Sequence, residues 1–207
     1  MELKSLQPLR REFSQNILNE FFCKELPKSF DPSTSKSNLC QDSYKPTMFA
    51  VDLLRALEWL MNHNLQDCSN EIHDTPVLMF APHFSTSNLL LHYDGSFQST
   101  ELIRRFIFMF GCLIEESKAT IISPSFIPKS KIREEQELIQ LVASSVRETS
   151  FIKFNFTGLQ DFWAYAINHN YTLLISSNNV PAEMVKIFLE FEKRKIWSDS
   201  LSFYLSI

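Results

Sequence analysis

Two short stretches carry residue types that could do chemistry. The first is His83-Phe84-Ser85-Thr86-Ser87. It follows the apolar run at 77–81, and in open α/β sheets ligands collect at loops after the carboxyl ends of strands. A serine nucleophile there needs an imidazole base within hydrogen-bond reach and a carboxylate to orient that base. The second stretch is His92-Tyr93-Asp94-Gly95-Ser96, which sets an imidazole two residues before a carboxylate. His83, Ser85, Ser87, His92 and Asp94 are therefore the candidate catalytic residues of a small hydrolase or transferase. Each has a plainer reading. Loop serines usually bond to nearby backbone. Asp-Gly is first of all a turn signal. The G-x-S-x-G turn that lifts a serine hydroxyl out of a sheet is absent.

Composition removes several other chemistries. Only three glycines occur, Gly95, Gly111 and Gly158, and they lie far apart. No glycine-rich phosphate loop can be assembled from them, which excludes the dinucleotide fingerprint and the P-loop. Cys23, Cys40, Cys68 and Cys112 never approach C-x-x-C spacing, so a zinc cluster is not expected. No cofactor is expected either. The net charge of -4 argues against a basic face for gripping nucleic acid. The longest apolar run, at 106–114, is well short of the ~20 residues that span a bilayer. The amino terminus lacks the apolar core of a signal peptide. A soluble intracellular protein with reduced thiols is expected.

The elements that must position these residues follow from periodicity. Leu6, Leu9, Phe13, Ile17 and Phe21 build one face of a helix over 6–24. A polar, serine-rich loop follows at 28–45. Residues 46–62 read as a second helix with Thr47 as its cap. From 77 onward, strands alternate with helices. Strands are expected at 77–81, 119–123, 151–156, 171–176 and 201–207, and at 89–93 a short strand or a turn of helix. Helices are expected at 99–116, capped by Ser99, and at 133–146, 159–168 and 181–195. Such alternation implies a parallel or mixed sheet with helices on both faces. The expectation is one α/β domain over 1–207, with a helical part at 1–72 and an alternating part at 73–207. Trp59, Trp163 and Trp197 are the tryptophans whose exposure would mark a partner surface.

Three resemblances bear on function. A strand followed by x-Ser-x-Ser resembles the D-x-S-x-S metal motif of von Willebrand factor A domains. His83 stands in the aspartate's place, and imidazole is a poor ligand for hard cations, so no metal is expected. Glu135-x-Glu137 together with Ser85 and Ser87 resembles the paired motifs of one ADP-ribosyltransferase class. Their place at a helix start explains the glutamates through the helix dipole. Finally, "DLLRALEWL", "VLMFAPHFSTSNLLLHYDGS", the following helix and "ATIISPSF" resemble part of the von Willebrand factor A-like amino-terminal region of Treslin-type replication regulators. That family has a strand ahead of the leading helix, for which the sequence shows no counterpart. The resemblance implies a non-catalytic scaffold domain in a nuclear complex controlling DNA replication. A non-catalytic α/β module with a protein partner is accordingly the leading expectation. The hydrolase or transferase and an immunity or toxin-binding protein are the alternatives.

Overall fold

The computed structural model describes residues 47–55, 75–156, 158–177 and 200–206. In chain order the elements are β1 (Phe49–Asp52), β2 (Val77–Phe80), β3 (Asn88–His92), α1 (Phe97–Ile114), β4 (Lys118–Ser123), α2 (Ile132–Ser145), β5 (Glu148–Lys153), α3 (Leu159–Asn168), β6 (Leu173–Ser176) and β7 (Ser202–Leu205). The seven strands form one sheet in the order β1-β2-β7-β6-β3-β4-β5. Every neighbouring pair is parallel except β2 with β7. The expected α/β architecture, a mixed sheet with helices on both faces, is the one observed.

Leu89, Leu90 and Leu91 show why β3 reads as an unbroken apolar run. Successive side chains point to opposite faces, and both faces are covered. Leu89 and Leu91 join a core with Ile103, Phe106 and Phe110 of α1 and Leu138 and Val142 of α2. Leu90 joins the core on the other face, with Phe162, Trp163 and Ala166 of α3. The apolar circumference of α1 is consistent with its place between sheet and α2. Among the described residues, no helix is long and apolar enough to cross a membrane.

Three expectations are corrected. The helix expected over 46–62 begins instead as β1, whose Ala50 and Val51 pair with Leu78 and Met79 of β2. A short apolar run suits a buried helix or a strand equally, and here the exposed edge of β2 decided. The strand also places part of the supposedly helical 1–72 segment in the main sheet. The helix expected to start at Ser99 starts two residues earlier, because Ser96 takes the cap and its Oγ accepts the Ser99 N–H at 3.0 Å. The strand expected at 151–156 is displaced to Glu148–Lys153, since its register is set by β4 rather than by its own alternation. The helices expected at 6–24 and 181–195, the loop at 28–45, Trp59 and Trp197 lie outside the described residues. Trp163 is fully buried.

Candidate functional site

From β3 the chain adds β4 and then β5 on one side, and then crosses to β6 on the other side of β3. Where neighbouring strands send their connections opposite ways, a crevice opens at their carboxyl ends. His92 closes β3 at that crevice, and Ser176 and Ser177 close β6. A cleft of about 380 Å³ lies there. His92, Asp94, Pro124, Asn155, Gly158 and Ser177 line it, with Phe154, Phe156 and Phe162 as its aromatic wall.

The turn after β3 is built from its own side chains. Gly95 takes φ +82°, a left-handed conformation suited to glycine. Asp94 Oδ1 accepts the Ser96 N–H at 2.8 Å. Ser99 Oγ donates to the Ser96 carbonyl at 3.1 Å, and Thr100 Oγ1 to the same carbonyl at 3.1 Å. Burial pushes the Asp94 carboxyl up, but bonds from Ser96 and Ser99 and the nearby His92 outweigh it and leave the pKa below the usual carboxylate value. His92 is shifted down, chiefly by burial, with Asp94 opposing. Its ring lies 4.9 Å from that of Phe162, and its Nδ1 lies 3.5 Å from Ser176 Oγ.

Ser176 is fully buried, so this serine cannot meet a substrate. Ser177 is 7 % exposed, and its Oγ has no hydrogen-bond partner among the described residues. Beside the cleft, Glu135 of α2 accepts a short bond from Ser123 Oγ and pairs with Lys153 Nζ at 2.5 Å. Lys153 Nζ also reaches Ser123 Oγ at 3.2 Å. This is an internal tie between the ends of β4 and β5 and the first turn of α2.

The five sequence candidates are divided between two ends of the sheet. β2 runs opposite to β7, and β7 runs with β6 and β3. The carboxyl end of β2 therefore lies at the amino end of β3. Residues 83–87 sit there, against the far end of α1, where Thr86 Oγ1 donates to the Leu113 carbonyl at 2.8 Å. The length of β3, about 16 Å for five residues, separates them from His92 and Asp94. Ser85 Oγ donates to Ser87 Oγ at 3.0 Å and accepts the Ser87 N–H at 3.2 Å, the local bonding usual for loop hydroxyls. A combined site using His83, Ser85, Ser87, His92 and Asp94 is thus not formed. The Glu135-x-Glu137 scheme is not formed either. Glu135 is buried against Lys153, while Glu137 pairs on the surface with Arg133 at 2.9 Å. Among the described residues, no three His, Cys, Asp or Glu side chains gather as a metal set.

Sequence reasoning found His92 and Asp94 but assigned them chiefly to a turn. It missed Phe154, Asn155, Phe156, Gly158 and Ser177 as lining residues. Ser177 and Gly158 had one visible signal, their position just beyond expected strands, whereas Phe154, Asn155 and Phe156 fell inside the strand expected at 151–156.

No protein-family model matches the chain, and no curated protein matches it. Among solved structures, a universal stress protein in complex with cAMP is similar with a TM-score of 0.37 and 14 % identity, over 54 % of this chain and 88 % of that one. A Mycobacterium tuberculosis protein is similar with a TM-score of 0.34 and 12 % identity, over 54 % of this chain and 90 % of that one.

Proposed function

We propose that this chain is a non-catalytic α/β interaction module, and that the rim formed by the carboxyl ends of β3, β4 and β5 receives a protein partner. One observation carries this reading. Each of the three connections leaving those adjacent strands presents an exposed phenylalanine. Phe97 opens α1 at 71 % exposed, Phe126 lies between β4 and α2 at 93 %, and Phe154 follows β5 at 52 %. Full burial of such a side chain is worth roughly 1.5–3 kcal/mol. Several exposed at one edge are a source of association energy, and aromatic anchors dominate protein interfaces.

The reactive groups at the same edge support the non-catalytic part. Ser123 and Ser176 are sealed from solvent, and Glu135 and Lys153 neutralise each other. The strand β1 ends at Asp52, the first residue of "DLLRALEWL", and a strand before that stretch is what the Treslin-type resemblance calls for. It supports the further reading that the partner belongs to a nuclear assembly controlling DNA replication.

The test compares partner capture from the native source by the full chain and by two variants. F126A/F154A removes two rim anchors. F108A removes a side chain that is 90 % exposed but well along α1, away from the rim. The expected outcome is loss of the partner with F126A/F154A and retention with F108A. Equal capture by all three would overturn the assignment of the rim.

A further inference from the structure

The later half of α1 turns an unexpected set of residues away from the sheet. Arg104, Phe108, Gly111 and Glu115 follow one another at steps of four, three and four, so they form one stripe along the helix. Ile103, Phe106, Phe110 and Ile114 hold the opposite, buried face. Phe108 stands 90 % exposed near the centre of the stripe. Gly111 is as much out of place. Glycine inside a helix weakens it relative to alanine. A Cβ added at Gly111 would meet no atom within 4 Å, so packing inside the molecule does not call for the glycine. Arg104 and Glu115 are exposed, and neither is in an ion pair among the described residues.

Steps of four, three and four are those of a coiled-coil seam. The surface that complements this stripe is the stripe itself. In an antiparallel pair about a two-fold axis, residues whose numbers share one sum face each other. An axis between residues 109 and 110 sets Phe108 against Gly111 of the second copy, and Gly111 against its Phe108. The same register sets Arg104 against Glu115 of the second copy, and Glu115 against its Arg104. Glu115 ends the helix with helical dihedrals, φ -53° and ψ -37°, so it keeps its place on the stripe. Each phenylalanine then fills the space that a missing Cβ leaves, and each charge meets its opposite. A parallel pair would set Arg104 on Arg104 and Glu115 on Glu115, which like-charge repulsion disfavours.

We propose that α1 is a self-association surface, an antiparallel two-fold contact between two copies of this chain along Arg104, Phe108, Gly111 and Glu115. The seam runs for about 18 Å, at 1.5 Å per residue from Arg104 to Glu115. It covers less than the ~800 Å² per partner of a standard stable interface, so the dimer is weak and depends on concentration. Phe97, the rim residue of the same helix, lies about 16 Å before Phe108 and outside the overlap.

The test is analytical ultracentrifugation of the full chain across about a thousandfold range of concentration. The natural chain is expected to move reversibly from monomer to dimer mass. F108A is expected to weaken association about tenfold or more, the loss of a central aromatic anchor. R104E and E115R, each alone, set like charges face to face at both ends of the seam and are expected to weaken it as well. The exchange R104E/E115R restores opposite charges only in the antiparallel arrangement, and is expected to associate as the natural chain does. G111A separates the seam from the helix. It is expected to raise the thermal midpoint of the dilute chain, since alanine suits a helix better. It is also expected to weaken association, because its methyl group meets Phe108 of the second copy. F126A/F154A is expected to leave association unchanged, which separates this surface from the partner rim. A natural chain that stays monomeric throughout would overturn the proposal. So would association that F108A leaves unchanged, or an exchange variant no better than R104E. Loss of the captured partner with F108A would give the stripe to a different protein and overturn it too.

Discussion

His92 is held between two influences of unequal size. Burial disfavours its imidazolium, Asp94 favours it, and burial prevails, so its pKa in the folded chain lies below 6.5. Between that lowered value and 6.5, the unfolded chain binds more protons than the folded one. Stability therefore falls as the pH is lowered through this window, and the contribution is constant above it. Asp94 is lowered as well, and its share is lost only as the pH falls below about 3.8, outside the range of the denaturant test. Denaturant midpoints measured from pH 7.5 to pH 5 are expected to decline in the natural sequence and to decline less in H92Q, which cannot titrate. Equal slopes would show that His92 is not the group responsible. At this scale the sequence was informative about residue type and misleading about place. His83 follows one expected strand and His92 lies near the carboxyl end of the next. Only strand direction separates them, and no local pattern encodes direction.

Among the elements, β5 depends most on a single tie. Among the described strands it stands at the edge, with β4 as its only neighbour in the sheet. The bond set of Ser123, Glu135 and Lys153 fastens its carboxyl end to β4 and α2. Glu135 is 6 % exposed, whereas the Lys153 side chain is 35 % exposed. Removing one partner of a fully buried pair costs 3–5 kcal/mol, and surface pairs contribute under 1. E135A is therefore expected to lower unfolding free energy by about 2 kcal/mol, an intermediate value for a partly wetted pair. The double variant E135L/K153M is expected to recover most of it, because neither charge is then left alone. Urea titration of the natural chain, E135A, E135L, K153M and E135L/K153M measures both effects, and additivity of E135L and K153M would deny the coupling. The sequence placed α2 almost to the residue, yet it assigned Glu135 to the helix dipole. Its true partner lies 18 positions along the chain, beyond any local pattern.

At the scale of the whole molecule, stability should be graded across the sheet. β3 and β6 lie at the centre, and Leu89, Leu90, Leu91, Leu173, Leu174 and Ile175 are all fully buried. β1 and β5 lie at the edges. Amides of β3 and β6 are expected to exchange with solvent at least about a hundredfold more slowly than those of β5, since central strands open only with the global transition. Hydrogen exchange followed by mass spectrometry resolves these segments, and uniform protection would contradict the gradient. Fold class was legible here because six apolar runs alternated with amphipathic ones. Sheet order was not, because pairing joins segments as distant as Val77 and Leu205. The crevice between β3 and β6 exists only once that order is known, so the cleft could not be located from the sequence.

The position of β7 has a consequence for biosynthesis. It is the last of the described strands in chain order, yet it lies between β2 and β6 and joins them. Ser202 Oγ reinforces the join by accepting the Ala81 N–H at 3.0 Å. Until that segment emerges, β1 with β2 and β3 with its neighbours are two separate sheets, each with an unpaired edge. Two aggregation-prone borders thus stand open in the nascent chain before β7 is made, and one short segment closes both at once.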